Sequence, residues 1–581
     1  MKQWLKIYNS FLKLIFGVRV KMSYKNKLFI LATFFLASCS GDPKTGWEKY
    51  LHSDDIISAE KYIDKDLLFT HISTLSSDQF EGRKPATKGG KKTVQYLIDS
   101  FKELELKPGN PNGTWFQDVK MLGVQSNLRA QFITEDERWV LKTGDDIIGN
   151  SYIKEQQVNL ERVEVIFCGY GVTAPEYKWD DYKDVDVKDK VVIILVNDPP
   201  IMKDDAYDND MFKGKAMTYY GRWSYKYEEA LRRGAAGAIV IHESGPAGYP
   251  FSVLQAGNGS ESLTIEESKS LKFQGWLPLS SARKLFSMSK LDFASMKKEA
   301  LSPEFQPKKM DVKFTSRIAN SYRDVKSKNV VAKYEGSDPL LKDEYIIYTA
   351  HWDHLGVDIK LKDDKVFNGA NDNALGTAMV LAAAKSFTQL KLGTKRSILF
   401  LLVTAEEDGL LGSKYYSMNP LYPLDKTLAV INVDAMGNTF GKTKDLIIIG
   451  KGNSNLDSIV ESAAKQDKKY VLPDAEPEKG FYYRSDHFAF AKKGVPSLYV
   501  DGGIDVRGKG KDFGKSMKDI YTKNHYHSPS DEIHPDWIYD GVIEDNGILL
   551  RVGYSISQND EWPSWNENTE FKSLRDAMLR N

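Results

Sequence analysis

The sequence has little cysteine and no surplus of charge of either sign. Only two of its 581 residues are cysteines, Cys39 and Cys168, so the chain can form at most one internal disulfide. Lysine plus arginine and aspartate plus glutamate both number 80, so the formal net charge is zero. Nucleic-acid-binding proteins usually carry a basic surplus. The composition therefore argues against a nucleic-acid partner.

Long apolar runs are also scarce, and the clearest one ends at Cys39 in "KNKLFILATFFLASCS". Its apolar part, residues 28–38, would span about 16 Å as a helix, whereas a membrane span needs about 20 residues. The pattern predicts a cleaved signal peptide over 1–39, with Met22 as an alternative start. The "LASC" ending resembles a bacterial lipobox and implies a lipid on Cys39, followed by a polar tether over 40–60. The alternative is an ordinary secretory signal with an incidental cysteine.

Beyond this segment, the texture of the chain predicts an α/β fold. Continuous apolar runs such as "EYIIYTA", "SILFLLVTA" and "LAVINV" indicate strands buried on both faces of a helix-flanked, mostly parallel sheet. Residues 61–120 and 306–560 are predicted to form this domain. Residues 121–305 are predicted to form an inserted, smaller β/α module. It contains no dense cluster of histidine, aspartate and glutamate, and we expect it to cover the entrance to the functional site. Residues 561–581 form a polar tail.

Histidines and carboxylates recur where the predicted strands end. In open α/β sheets, ligands gather beyond the carboxyl ends of the strands. A donor set of imidazoles and carboxylates suits Zn²⁺ or another divalent ion. It would suffice for two ions if one carboxylate bridged them. The candidates lie in "HWDHLG", "NGANDNALG", "AEEDG", "INVDAMG" and "NHYHSPSDE".

These segments, in this order, resemble the consecutive motifs of the co-catalytic zinc aminopeptidase family, which includes secreted bacterial aminopeptidases and glutamate carboxypeptidases. "RSDHFAF" belongs to the same series, and "LSSDQFEGR" and "GTWFQ" in the N-terminal part also resemble bacterial members. "RRGAAGAIV" resembles the protease-associated domain found inserted in several secreted peptidases. The resemblance implies a fold of zinc-exopeptidase type with that domain inserted.

The resemblance also implies roles for individual residues. It assigns one zinc to His351 and Asp434, the other to Glu407 and His527, and the bridge between them to Asp372. Glu406 would be the general base. Asp353 would orient the imidazole of His351, and Tyr526 would stabilise the tetrahedral intermediate.

Several neighbouring residues keep more than one interpretation. His525 competes with His527 for the metal, although the family pattern favours His527. His354 is interpreted as a local hydrogen-bonded residue, and Asp486 and His487 are given a supporting role. For substrate binding, the candidates are Phe481, Tyr482 and Tyr483 as walls of an apolar pocket and Arg484 as the nearest cation.

Together these features predict a two-zinc exopeptidase that releases N-terminal residues from peptides and is lipid-anchored in a bacterial cell envelope. A carboxypeptidase or dipeptidase of the same family is the first alternative. A single-zinc acyltransferase of glutaminyl-cyclase type is the second, and a protein that holds metal only for structure is the third. The sequence leaves the oligomeric state open.

Overall fold

The computed structural model describes residues 46–266, 268–434, 439–567 and 569–580. Cys39 and the predicted signal peptide over 1–39 lie outside the described residues, as does the start of the predicted tether over 40–60. Residues 49–581 form one compact unit. Within the described residues, no helix combines the length and the apolar character needed to cross a membrane.

Twenty-two β-strands occur in the described part of the chain, numbered here in chain order: β1 Lys107–Pro108, β2 Phe116–Ile133, β3 Arg138–Leu141, β4 Ile148–Asn150, β5 Gln157–Phe167, β6 Thr173–Ala174, β7 Trp179–Asp180, β8 Val191–Leu195, β9 Met202–Lys203, β10 Ala206–Tyr207, β11 Gly237–His242, β12 Ser262–Ile265, β13 Phe273–Pro278, β14 Lys308–Tyr334, β15 Tyr345–His351, β16 Gly356–Val357, β17 Val366–Phe367, β18 Ser397–Val403, β19 Thr427–Asn432, β20 Asp445–Ile448, β21 Tyr470–Pro473 and β22 Ser497–Gly502.

The same residues form sixteen α-helices: α1 Glu48–Leu51, α2 Asp54–Glu60, α3 Lys65–Leu75, α4 Lys88–Glu103, α5 Trp223–Arg232, α6 Ser244–Ala247, α7 Ser252–Gly257, α8 Leu279–Met288, α9 Phe293–Glu299, α10 Gly376–Thr388, α11 Leu411–Met418, α12 Leu456–Gln466, α13 His487–Ala491, α14 Lys511–Asn524, α15 Asp540–Gln558 and α16 Lys572–Arg580.

Sixteen of the strands belong to one continuous sheet, whose main order is β21-β20-β22-β19-β15-β18-β14-β5-β8-β11-β13-β4. Strands β22, β19, β15 and β18 are parallel neighbours. Every residue of β15 and of β18 is buried, as expected for apolar strands in a parallel sheet with helices on its faces. Helices α10 and α15 contact β15, and α13 contacts β19. The predicted α/β fold is confirmed.

Strand β14 joins two parts of this sheet. Its residues 330–334 pair with β18, and its residues 313–330 pair with β2. Residues 308–319 of β14 pair with β5, from which β8, β11 and β13 continue as parallel neighbours. The predicted boundary at 120/121 lies inside β2, so the chain enters the inserted module along a strand. The domain boundaries themselves stay a prediction.

The C-terminal segment folds back onto the rest of the chain. Trp565 is buried, and its Nε1 donates a hydrogen bond to the carbonyl of Gly494 at 2.8 Å. Lys213 of the inserted module forms an ion pair with Glu570 at 3.0 Å. The segment predicted as a polar tail therefore helps to hold the module against the 477–494 region.

Candidate active site

The candidate site lies at the carboxyl ends of three adjacent parallel strands. Strand β15 ends at His351, β18 ends three residues before Glu406, and β19 ends two residues before Asp434. Because these strands are neighbours in register, their ends deliver side chains to one edge of the sheet. Asp372 reaches the same place from the segment that leads into α10.

Asp372 lies between two imidazoles. Its Oδ1 is 3.4 Å from Nε2 of His351, and its Oδ2 is 3.2 Å from Nε2 of His527. Nε2 of His351 is also 3.4 Å from Oδ1 of Asp434. His527 Nε2 is 3.1 Å from Oε2 of Glu407. His351 is thus paired with Asp434, and His527 is paired with Glu407. The carboxylate of Asp372 contacts the histidine of each pair.

These distances suit ligands of metal ions with tetrahedral coordination. Donor atoms bound about 2.0–2.1 Å from one tetrahedral ion lie about 3.3–3.4 Å from each other. The four separations observed here range from 3.1 to 3.4 Å. His351, Asp372 and Glu407 each offer one ligand atom, and these three atoms lie within 4.8 Å of one another. The donor set contains only nitrogen and oxygen, which suits zinc.

The electrostatics of the site also favour a cation. Burial opposes the charged form of His527, but the carboxylates of Asp372 and Glu407 outweigh it and raise the pKa of His527 to about 10. Burial likewise opposes a charged His351, and Glu406, Asp372 and Asp434 raise its pKa well above the ordinary value. The site contains more carboxylates than imidazoles, and divalent cations would neutralise the surplus negative charge.

The two adjacent glutamates diverge because the chain turns sharply after β18. Ala405 has a φ of +53°, a left-handed conformation that non-glycine residues rarely adopt. The carboxylate of Asp353 accepts hydrogen bonds from the amides of Glu406 at 3.1 Å and Glu407 at 3.4 Å. Glu406 then approaches His351, with Oε2 3.9 Å from Nε2, while Glu407 faces His527.

Asp353 contacts His351 through a different group from the one that the family resemblance implies. Its carboxylate lies 3.9 Å from Nδ1 of His351, which is beyond hydrogen-bond distance. The nearer contact to His351 Nδ1 is the backbone carbonyl of Asp353, at 3.2 Å. The Asp353 carboxylate therefore fixes the turn that carries the glutamates, and its backbone orients the imidazole. Burial raises the pKa of Asp353 to about 8.

His354 and His525 occupy different positions relative to the site. His354 is buried, and its Nδ1 lies 2.6 Å from Oε1 of Glu407, so it positions the far oxygen of that carboxylate. His525 instead contacts Ser530 through Nδ1 at 3.0 Å and packs against His534. The geometry brings His527, not His525, to the shared carboxylate.

The remaining motif residues divide between the site and the core. Tyr526 is 47% exposed, and its ring stacks on His527 with a centroid distance of 3.9 Å. Asp486 is buried, accepts a hydrogen bond from the hydroxyl of Ser413 at 2.6 Å, and has its pKa raised to about 6 by burial. His487 packs between tyrosine rings, and burial lowers its pKa to about 3. Asp486 therefore lies behind the site, and His487 lies in the core.

The predicted substrate-pocket residues also separate. Tyr482 and Tyr483 are 6% and 4% exposed and pack with Trp565 and Phe571 in one hydrophobic cluster. The hydroxyl of Tyr483 donates a hydrogen bond to Glu570. Arg484, by contrast, lines a cavity of about 480 Å³. The assignment of all three residues to substrate binding stays a prediction, and Arg484 is the one that borders open space.

Two buried residues that sequence reasoning did not assign support the ligands from behind. Asp531 accepts hydrogen bonds from the amides of Asn371 at 3.1 Å and Asp372 at 3.0 Å, and from the hydroxyl of Tyr521 at 3.1 Å. It therefore fixes the backbone of the shared carboxylate. Asp531 falls within the quoted "NHYHSPSDE" motif, so the available signal was its place in that motif.

Arg83 is the second supporting residue, from the "LSSDQFEGR" motif, and it is fully buried. Its guanidinium donates to the carbonyls of Trp352 at 2.9 Å, Leu75 at 2.8 Å, Asn368 at 2.6 Å and Gly369 at 2.8 Å. Burial lowers its pKa to about 10, and the surrounding carboxylates act in the opposite direction. Arg83 thus ties the segment after β15 to the segment that carries the shared carboxylate.

We expect Arg83→Ala to lower the free energy of unfolding by about 3 kcal/mol or more, because it leaves several buried carbonyls without donors. Urea unfolding followed by circular dichroism measures this change. Arg129 is exposed on β2, so Arg129→Ala is the matched control and should change stability by about 0.5 kcal/mol or less. Equal stability of the two variants would show that the Arg83 hydrogen bonds contribute nothing.

Parts of the chain are similar to known proteins. Residues 329–547 match the model described as "Peptidase family M28". The chain is 27% identical over 265 residues to "Probable leucine aminopeptidase 2" of Trichophyton verrucosum, covering 43% of this chain and 48% of that protein. It is 29% identical over 195 residues to "Leupeptin-inactivating enzyme 1" of Streptomyces exfoliatus, covering 33% and 38%. The matched part of the chain spans about half or less of the length of these curated relatives.

Among solved structures, the chain is similar to an aminopeptidase from Aneurinibacillus sp. strain AM-1. The TM-score is 0.46 and the sequence identity 18%, over 87% of this chain and 97% of that one.

Proposed function

Because residues 329–547 match the model of peptidase family M28, we propose that the chain is a metallopeptidase, and specifically an aminopeptidase that uses two zinc ions. The observation that carries the proposal is the carboxylate of Asp372, with one oxygen facing His351 and the other facing His527. A site built for structure alone would not need a further carboxylate beside the ligands. Glu406 is that further carboxylate.

His351, Asp372 and Asp434 would hold one ion, and Asp372, Glu407 and His527 the other. Such ions, when bound, lower the pKa of a water molecule to about 7 and polarise a carbonyl group. Other divalent ions with the same preference for nitrogen and oxygen would fit the same donors.

Glu406 would carry the proton. Burial is the largest influence that raises its pKa, and the negative charges of Asp434 and Glu407 act in the same direction. A carboxylate with a raised pKa accepts a proton from the attacking water and returns it to the leaving amine, which is general acid–base catalysis. Tyr526, exposed beside His527, would donate a hydrogen bond to the oxygen that becomes negative as the carbonyl is attacked.

The carboxylate that is not a proposed ligand favours an aminopeptidase over the alternatives. Glu406 lies beside the ligands, so with the metal ions bound it would still attract a protonated N-terminal amine. A carboxypeptidase would need a cation for the terminal carboxylate, and Arg484 is the nearest candidate. The single-zinc acyltransferase alternative would not need the complete second set of ligands.

Hydrolysis of leucine amide and of N-acetyl-leucine amide tests the proposal. We expect the zinc-loaded protein to hydrolyse leucine amide and to leave the acetylated compound intact, because acetylation removes the positive charge of the amine. Treatment with a chelator should abolish hydrolysis, and added Zn²⁺ should restore it. Faster hydrolysis of N-acetylated peptides with free C-termini would instead establish a carboxypeptidase.

The cellular position is a separate proposal. The "LASC" sequence ending at Cys39 supports a lipid anchor in a bacterial cell envelope, with peptides as the substrates outside the cytoplasm. Mass spectrometry of the mature protein after expression in a bacterium tests it. A mature N-terminus without lipid on Cys39 would refute the anchor.

A further inference from the structure

We propose that the inserted module completes a carboxylate-binding subsite for peptide substrates, formed by Arg222 of the module and Arg484 of the catalytic part. The inference rests on the proposed peptidase function and names the class of substrate: peptides with a carboxylate at a fixed distance from the N-terminus. The carboxylate would be either the C-terminal group of a short peptide or an acidic side chain.

The two arginines line the same cavity, which has a volume of about 480 Å³. Its other walls include the aromatic side chains of Trp223, Tyr249 and Trp276. A cavity of this volume accommodates a small ligand, and aromatic walls with a few charged groups are typical of ligand-binding cavities. Since the walls come mainly from 121–305, the module would contribute to substrate recognition as well as cover the site.

Both arginines lack an acidic partner among the described residues. Neither Arg222 nor Arg484 forms an ion pair there, and the buried Nε of Arg222 has no hydrogen-bond partner. Burial, the largest influence, and the positive charge of Arg484 together lower the pKa of Arg222 to about 10. The groups that act in the opposite direction on Arg222 are tyrosines, not carboxylates.

A buried lysine, Lys414, also lies within electrostatic reach of Arg222. Burial lowers the pKa of Lys414 to about 8, Lys492 and Arg222 act in the same direction, and the carboxylates of Glu228 and Asp486 oppose them. Arg484 is exposed, whereas the buried Nε of Arg222 lacks a hydrogen-bond partner, and leaving a buried donor of a charged group unsatisfied is costly. An incoming carboxylate would repay that cost, because a guanidinium can bind it through two parallel hydrogen bonds.

Arg484 connects the cavity with the surroundings of the candidate metal site. Burial lowers the pKa of Arg484, and Tyr526 acts in the opposite direction, which places Arg484 within electrostatic reach of that tyrosine. Tyr526 in turn stacks on His527. The module is held in place here because the amide of Met217 donates to the carbonyl of Pro477 at 3.1 Å. A peptide with its N-terminus at the metal site could therefore extend its carboxylate toward the arginines.

The kinetic test compares the zinc-loaded wild type with Arg222→Gln and Arg484→Gln on leucyl peptides of two to five residues. Each peptide is supplied with a free and with an amidated C-terminus, and a second series carries Glu or Gln at one internal position. At the matching length or position, we expect the wild type to favour the carboxylate by about 10- to 100-fold in kcat/KM. Each arginine variant should lose most of that preference.

The position at which the preference appears identifies its source. A preference for the free C-terminus at one length indicates terminal recognition, and a preference for Glu over Gln indicates a side chain. Arg283 is exposed on α8, so Arg283→Gln is the matched control and should keep the wild-type preference. Equal kcat/KM for charged and neutral peptides throughout, or a preference that survives in both arginine variants, would overturn the proposal.

A binding measurement separates this inference from the proposed function. Calorimetry with N-acetylated forms of the same peptides, which an aminopeptidase does not cleave, should show carboxylate-dependent binding that Arg222→Gln and Arg484→Gln weaken. If no peptide is hydrolysed but this binding is present, the proposed function fails and the anion subsite stands. If hydrolysis occurs and carboxylates confer neither binding nor preference, only the subsite is refuted.

Discussion

Glu406→Gln is expected to lower kcat by about 10²–10⁴-fold while the zinc content remains that of the wild type. The reason is the position of Glu406, whose Oε2 is 3.9 Å from Nε2 of His351 and outside the four ligand separations of 3.1–3.4 Å. Glutamine keeps the shape of the side chain but cannot take up a proton. Zinc is measured by elemental analysis of the purified protein, and kcat by hydrolysis of leucine amide.

The adjacent residue provides a matched comparison. Glu407→Gln makes the same chemical change one position along, but Glu407 Oε2 lies 3.1 Å from His527 Nε2, so this variant should lose zinc as well as turnover. Glu135 is exposed in the β2–β3 turn, and Glu135→Gln should change neither. A Glu406→Gln variant with kcat near the wild-type value would remove Glu406 as the proton carrier. Loss of zinc from that variant would make Glu406 a ligand instead.

The strands and the edge of the sheet at which the ligands meet could be predicted from the sequence. "EYIIYTA" and "SILFLLVTA" are apolar at consecutive positions, and such runs form strands buried on both faces, as β15 and β18 are. Parallel strands end at the same edge of a sheet, so His351 and the glutamates after β18 were expected to be neighbours. These inferences need only local pattern and the geometry of a parallel sheet.

The divergence of the two glutamates could not be predicted in detail. It depends on the left-handed conformation of Ala405 and on the amide hydrogen bonds to Asp353, neither of which leaves a local pattern. For the same reason, Asp353 was expected to contact the imidazole of His351 with its carboxylate, whereas the structure places its carbonyl there. Tertiary hydrogen bonds decided both outcomes.

Sequence patterns could not predict the arginine-lined cavity because its two charged residues are far apart in the chain. Arg222 and Arg484 are brought together by the pairing of the module's strands with β14 and by the contact of Met217 with Pro477. An unpaired cation has no sequence signature, since any acidic residue of the chain could have been its partner. The proposed subsite therefore rests on the absence of an acidic partner for Arg222 and Arg484 among the described residues.

Asp372→Asn is expected to have the largest effect on metal binding, because one substitution changes a ligand of both proposed ions. Asp372 Oδ1 faces His351 and Oδ2 faces His527, so replacing one oxygen by an amide nitrogen and removing the charge weakens both pairs. Glu407→Gln removes charge from one pair only. We therefore expect Asp372→Asn to retain less zinc than Glu407→Gln under the same dialysis, with hydrolysis of leucine amide falling to background.

A variant of Asp531 provides the comparison for this prediction. Asp531 contacts the backbone amide of Asp372 and not the proposed ions, and loss of an outer partner typically weakens metal affinity by about 10–100-fold. Asp531→Asn should fall in that range, and Asp372→Asn should exceed it. Both are measured by competition with a chelator of known affinity. If Asp372→Asn binds zinc as tightly as Asp531→Asn, then Asp372 acts on the site only through its surroundings. The proposal that two ions share the carboxylate of Asp372 would then be refuted.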